Sequence, residues 1–311
     1  MSARRPAPPP GPPAGPPVGT APGTARAAAA ALGAAVLFGT TGTAQALGPT
    51  GTSAVGVAGV RLIVGALGLW VLGRRHRVPI DGRRRRMLVV VGAIGVAAYQ
   101  ALFFAAVRRT GVGTGTIVAV GSGPLVAGAL HAVLTRRPPG RAWLLATLVA
   151  AAGATLLVAA GTDVRIDPVG VAVALAAGAG YATYAVAGGA LVADGVPSTQ
   201  AMFLVHAGGA VLVAPALVSQ PLGWLTTGEG LLLALHLGLV ATTTAYVLFG
   251  LALRRLSAPL VTTLTLAEPV TATALGIVVL DETLTAAGGI GAVLVLGALV
   301  VAARPGRPGH R

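Results

Sequence analysis

GSGPLVAGALHAVL, residues 121–134, and LAEPVTATALGIVV, residues 266–279, stand 145 positions apart and read as one helix used twice. Pro124 falls on Pro269, Leu125 on Val270 and Gly123 on Glu268. The same offset extends outward without a gap, placing Arg61 on His206, Phe104 on Phe249, Arg109 on Arg254 and Gly33 on Gly178. Each half carries five apolar stretches of the length, about 20 residues, that a helix needs to cross the hydrocarbon. An odd number of crossings per half turns the second copy upside down. Inverted repeats of this kind recur in secondary transporters, which keep one substrate site at the repeat interface and open it alternately to each side. The sequence therefore predicts an all-α integral membrane protein of ten transmembrane helices in two inverted five-helix repeats.

Composition agrees. The 311 residues are 55% hydrophobic and only 10% charged, with mean hydropathy +0.83. A soluble domain of this size would need more charge to cover its surface. Cysteine is absent, which excludes disulfides, thiolate metal sites and cysteine nucleophiles. The predicted spans are 27–46, 52–73, 87–107, 112–135, 142–160, 168–188, 198–219, 230–253, 257–280 and 285–303. They divide into a first repeat over 26–160 and a second over 166–303. Before them lies a Pro/Ala/Gly-rich tail, 1–25, without apolar periodicity and expected to be disordered; after them, a short basic tail, 304–311.

The formal charge of +14 comes entirely from arginine. With the N-terminus placed in the cytoplasm, 18 of the 22 arginines fall in cytoplasmic segments. Arg108, Arg109 and Arg165 fall outside, and Arg61 lies within a span. This bias predicts a multi-pass protein of the cytoplasmic (inner) membrane with both termini in the cytoplasm. The basic loops suit anionic lipid heads, and no nucleic-acid partner is expected.

Polar residues inside the spans mark candidate chemistry. Arg61 sits near the middle of span two, where an arginine costs roughly 2.5–3.5 kcal/mol to insert. It either serves a substrate or gate, or bonds to the carbonyls of a neighbouring helix. Glu268, mid-span and followed by Pro269, combines a carboxylate with a disturbed backbone. That suits an ammonium group, a cation or a proton, unless the acid is simply buried and protonated. The pair Arg61 and Glu268 is expected to meet across the repeat interface. His206 holds the place of Arg61 in span seven and is either a proton relay or a core histidine. Tyr99 and Gln100, with Phe103, Phe104, Tyr181, Tyr184, Tyr246 and Phe249, either line a cavity or pack helices. Pro124 mirrors Pro269 and is expected to weaken span four at the same depth. Glycines of spans four and ten, including the Gly111/Gly115 pair at GxxxG spacing, suit close helix packing. Ser122 in VGSG is a weak echo of an intramembrane serine protease.

These residues resemble the EamA branch of the drug/metabolite transporter superfamily. The run AEPVTATALGIVVLDETLTAAGGIGAVLVLGALVV, with Glu268-Pro269, Glu282 and Gly288, Gly289, Gly291 and Gly297, is similar to the pattern that ends its repeats. FGTTGT in span one and the mid-span Arg61 resemble it as well. In the first half Pro124 fits, but Gly123 and Arg137 replace the acids. The resemblance implies an ATP-independent carrier, often an exporter of amino acids or other small metabolites. It also implies a basket of helices around a central cavity with spans five and ten at the rear. Its partners would be a small-molecule substrate, the lipid bilayer and, where transport is coupled to an ion, a proton, with no cofactor. A non-transporting membrane scaffold or sensor with the same fold is the alternative.

Overall fold

A computed structural model describes residues 21–159 and 167–304. Asp163 and Arg165, both on the arginine-poor side by sequence, lie outside the described residues, as do 1–20 and 305–311. Within the described residues there are ten helices long and apolar enough to cross a membrane. They are α1 (Ala21–Ala46), α2 (Ala54–Gly73), α3 (Arg83–Gly111), α4 (Gly113–Thr135) and α5 (Arg141–Ala159). The second five are α6 (Pro168–Ala193), α7 (Ser198–Leu217), α8 (Gly228–Leu253), α9 (Ala258–Leu280) and α10 (Ala286–Ala303). Helix α1 starts inside the stretch expected to be without structure. The alanine-rich run around Arg26 favours helix, and Pro22 is tolerated in a first turn.

Boundaries are set by local chemistry. Ser53, Thr227 and Thr285 cap α2, α8 and α10 by accepting from the backbone N–H three residues on. Helices α3 and α4 meet at Gly111, whose φ of 83° a side chain would strain. Gly111 is therefore a turn residue, not one half of a packing pair with Gly115 as its spacing suggested. A Cβ added to it would touch nothing within 4 Å.

Packing follows the repeat. Helix α6 lies against α3 and α4, and α1 lies reciprocally against α8 and α9; α2 packs on α7, and α5 on α10. The first helix of each repeat is thus cradled by the third and fourth of the other. Backbones touch where glycines allow it. A Cβ on Gly95 would stand 2.8 Å from the Gly180 carbonyl, and one on Gly291 would stand 2.6 Å from the Gly153 carbonyl. The second contact holds α5 and α10 together at the rear. Leu67, Val71, Val90, Ile94, Leu145, Val211, Leu232, Val278 and Val293 stay exposed on the outer surface, as lipid-facing residues do.

Loops at the two faces differ. On the arginine-rich face Arg84 pairs with the Asp194 carboxylate, and Arg85 donates to the Asp194 carbonyl. This explains how the α6–α7 loop, which has no arginine of its own, sits on that face. Gln200 adds a two-point amide clamp: it accepts from the Val78 N–H at 2.9 Å and donates to the Val78 carbonyl at 2.8 Å. On the opposite face Arg109 bonds Asp167 at 2.8 Å, and Asp167 caps α6 through the Val169 N–H. Arg109, helped by the backbone N–H groups of Val169 and Gly170, holds the Asp167 carboxyl below the usual carboxylate range.

Two outcomes follow. Gly180→Ala should lose roughly 1–3 kcal/mol of stability by forcing α3 and α6 apart, whereas Gly121→Ala, with open space at its Cβ, should lose none. Thermal unfolding in detergent compares them. Because the folded pKa of Asp167 is depressed, its stabilising contribution is present above the unfolded value of about 3.9 and is lost as pH falls through the folded one. The unfolding midpoints of Asp167→Asn and the unmodified chain should therefore differ at neutral pH and converge in acid.

Candidate functional site

A cavity of about 1150 Å³ occupies the centre of the bundle. Its lining runs from mid-membrane to the loops of one face only, the arginine-poor face, through Gln45, Ala54, Val158, Glu282 and Thr285. The residues singled out by sequence that line it include Arg61, Tyr99, Gln100, Glu268 and Pro269, with the rings of Phe103, Phe104, Tyr181, Tyr184 and Tyr246. Pro124 and His206 are not among its lining residues.

Glu268 owes its position to a broken helix. Pro269 has no N–H for the carbonyl of Thr265, four residues earlier. The chain responds by tightening: α9 runs as α-helix to Leu264, as a 3₁₀ turn over Thr265–Ala267, and as α-helix again from Glu268. Upstream, α9 is anchored to α5. Trp143 donates its indole N–H to Thr263 at 3.0 Å, and Thr147 donates to the same hydroxyl at 2.8 Å, while Thr263 donates to the Pro259 carbonyl. The carboxylate therefore projects into the cavity from a fixed base.

Arg61 is positioned by α8. That helix widens into a π-helical stretch over His236–Thr244. Thr242, Thr243 and Thr244 each donate to the carbonyl five residues back, and Thr243 also donates to the Gly65 carbonyl of α2 at 3.1 Å. Gly65 and Gly68 let the two helices come this close. Arg61 lies one turn before Gly65, half-buried. Among the described residues neither Arg61 nor Glu268 has an ion-pair partner. They share one cavity, but the expected direct pairing is not made.

Aromatic rings form the floor. Tyr99 packs against Tyr181 and Tyr184 with centroids 5.9 and 6.4 Å apart, and Phe38 packs against Tyr246 at 5.1 Å. Tyr184 and Tyr246 share a hydrogen bond of 2.8 Å, which ties α6 to α8. Tyr181 donates to Thr265 at 2.6 Å, since the Thr265 proton is committed to the Thr262 carbonyl. A Cβ at Gly123 would collide with the Tyr181 ring. This gives a physical reason for the missing acid of the first repeat: the space beside position 123 is filled by an aromatic ring from the second. Gln100 is 5% exposed and faces the cavity.

The remaining candidates lie elsewhere. Pro124 leaves α4 helical throughout, unlike its counterpart in α9. The carbonyl it leaves without a helical donor belongs to Val120, and Val120 borders the cavity. His206 is buried beneath the floor, against Tyr246 and Tyr184. Ser122 donates to the Ala119 carbonyl of its own helix at 3.3 Å. Sequence reasoning reaches Phe38 only as the first residue of FGTTGT, and does not reach Thr265 or the π-helical stretch. The three consecutive threonines, 242–244, are the available signal for the last.

A family model described as the EamA-like transporter family matches residues 25–159 and 168–304. The chain belongs to the EamA-like transporter family. Among its relatives, the uncharacterized transporter YwfM of Bacillus subtilis is 37% identical over 88% of this chain and 92% of that protein. The threonine/homoserine exporter RhtA of Escherichia coli K12 is 30% identical over 86% of each. A solved crystal structure superposes with a TM-score of 0.72 at 21% identity, covering 89% of this chain and 96% of the other, which establishes the shared fold. In this family member Arg61 and Glu268 stand in one cavity without forming an ion pair.

Because they do, Arg61→Gln and Glu268→Gln should leave the fold intact. The coupling free energy between the two substitutions should stay under about 0.5 kcal/mol, against roughly 3–5 kcal/mol for breaking a buried ion pair. Unfolding of both single variants and the double variant measures it.

Proposed function

We propose that this protein is a secondary exporter of small zwitterionic amino acids that works by alternating access. One observation carries the reading: Arg61 and Glu268 bring a guanidinium and a carboxyl group, with no ion-pair partner among the described residues, to a single mid-membrane cavity. A charge within a membrane protein is costly unless something compensates it. A zwitterion compensates both at once, its carboxylate on the Arg61 guanidinium and its ammonium on Glu268. A guanidinium suits a carboxylate because its planar fork gives two parallel hydrogen bonds. Tyr99 and Gln100 line the same space and contact the cargo side chain. The cavity exceeds the roughly 300–1,000 Å³ of ordinary ligand pockets, so a small solute enters with part of its water. The RhtA relatives, named for threonine and homoserine export, support both the cargo class and the direction.

In this reading the arginine-rich face is cytoplasmic, both termini lie there, and the cavity is open to the outside. The two repeats, 26–160 and 166–303, are the bodies that move. Glu268 is the group available to carry a coupling proton, since the first repeat offers Gly123 in its place.

Counterflow in liposomes tests the proposal, with threonine, homoserine, other amino acids and their amide and deaminated analogues as cargo. Saturable exchange of zwitterions is expected. Arg61→Gln and Glu268→Gln should each lower kcat/KM by at least about thirtyfold, as truncating one member of a buried charged contact does. Arg61→Gln should in addition abolish discrimination against the amides. Folded, inserted protein that exchanges nothing across the panel would favour a scaffold or sensor instead.

A further inference from the structure

The 145-residue offset carries the cavity lining into the deepest part of the core. Val57, Arg61, Gln100, Phe104 and Thr116 line the cavity. Their counterparts, Met202, His206, Ala245, Phe249 and Val261, are each 1% exposed or less. At these five positions the two repeats occupy opposite environments, one set open and the other sealed, whereas at Gly39/Tyr184 and Val120/Thr265 both members line the cavity. A pair of inverted repeats has a second arrangement in which the repeats exchange these conformations. It closes the present cavity and opens its counterpart onto the arginine-rich face.

Within the sealed set, one side chain lacks a partner it needs. The Nδ1 of His206 lies 2.8 Å from the Met202 carbonyl, which can only accept, so Nδ1 carries the proton and donates. The other nitrogen, Nε2, is then a hydrogen-bond acceptor. It is fully buried and, among the described residues, has no hydrogen-bond partner. The rings of Tyr246 and Tyr184 stack around it with centroids 3.8 and 5.6 Å away. A buried acceptor without a donor bears an uncompensated desolvation cost, and nothing in this state offsets it. Arg61, at the same place in the other repeat, faces the open cavity. Tyr184 and Tyr246, hydrogen-bonded to each other at 2.8 Å, separate His206 from the present cavity.

We propose that His206 is a substrate-contacting residue of the state open to the arginine-rich face, where its Nε2 accepts a hydrogen bond from an ammonium or hydroxyl group of the cargo. The inference rests on the alternating-access reading and deepens it. The two half-sites are unequal: Arg61 holds an anionic group on one side, and His206 holds a donor on the other.

The chain has no cysteine, so single cysteines report without background. Ala245→Cys in the sealed set, Ala187→Cys at the buried counterpart of the cavity residue Gly42, and Ala272→Cys in the open cavity would be treated with a membrane-impermeant maleimide from each face of oriented vesicles. Ala272→Cys should label only from the arginine-poor face. Ala245→Cys and Ala187→Cys should label from the arginine-rich face. Failure of both to do so, while Ala272→Cys labels, overturns the proposal. This readout needs no cargo, so it stands apart from failure of the amino-acid reading, which counterflow detects. A second arm uses radiolabelled threonine. His206→Leu should raise KM about tenfold for cargo presented at the arginine-rich face, the size expected for losing one hydrogen bond to a charged group. At the opposite face KM should stay within about twofold, and His206→Gln, which keeps an acceptor, should recover most of the loss. Equal effects at both faces would assign His206 to packing and overturn the proposal.

Discussion

Two backbones touch where Gly95 of α3 meets Gly180 of α6, and the arrangement of the centre depends on that approach. Tyr99 stands one turn beyond Gly95, and Tyr181 and Tyr184 follow Gly180 at once. Bringing the two glycines together therefore brings three tyrosines together. The tyrosines then decide what else can be present. The ring of Tyr181 takes the volume beside Gly123, which leaves no room there for a second acid. Its hydroxyl holds Thr265, the first residue of the tightened turn before Glu268. Tyr184 reaches Tyr246 and closes the floor. A side chain larger than hydrogen at either glycine would lift this whole set.

Lipid offers no hydrogen bonds, so every departure from regular helix must be compensated internally. The π-helical stretch of α8 uses three threonine hydroxyls for this, and one of them also reaches α2. The turn before Glu268 uses Thr262 and Thr265 in the same way. The turn before Glu268 borders the cavity, whereas the π-helical stretch packs on α2 and turns Leu239 and Val240 to the outer surface. The helix that carries Arg61 is set by the first, and Glu268 is set by the second.

Much of this is legible in the sequence, for definable reasons. Span positions follow from apolar length, and the ten observed helices lie close to the expected ranges. Arg61 and Glu268 stand out because a charge inside an apolar span is too costly to be kept for packing alone. The aromatic residues are less readable, since a ring in a span has the same sequence signature whether it packs or lines. Phe104 borders the cavity and Phe249, its counterpart, is sealed. The repeat alone treats them alike, and only the asymmetry of one conformational state separates them. Pro124 and Pro269 are equal breaks by sequence, yet only α9 changes its winding. The π-helical stretch is hidden because its residues are ordinary apolar and threonine residues with no proline among them.

The contacts of Arg84 and Arg85 with Asp194 join the start of α3 to the α6–α7 loop across the arginine-rich face. Arg84 is 66% exposed there, so mobile ions reach it freely. At physiological ionic strength the screening length is about 8 Å, enough to weaken such a link without dissolving it. Anionic lipid heads offer the same guanidinium groups a competing partner. The tightness of that face is therefore a property shared between the protein, the surrounding salt and the membrane's own surface charge.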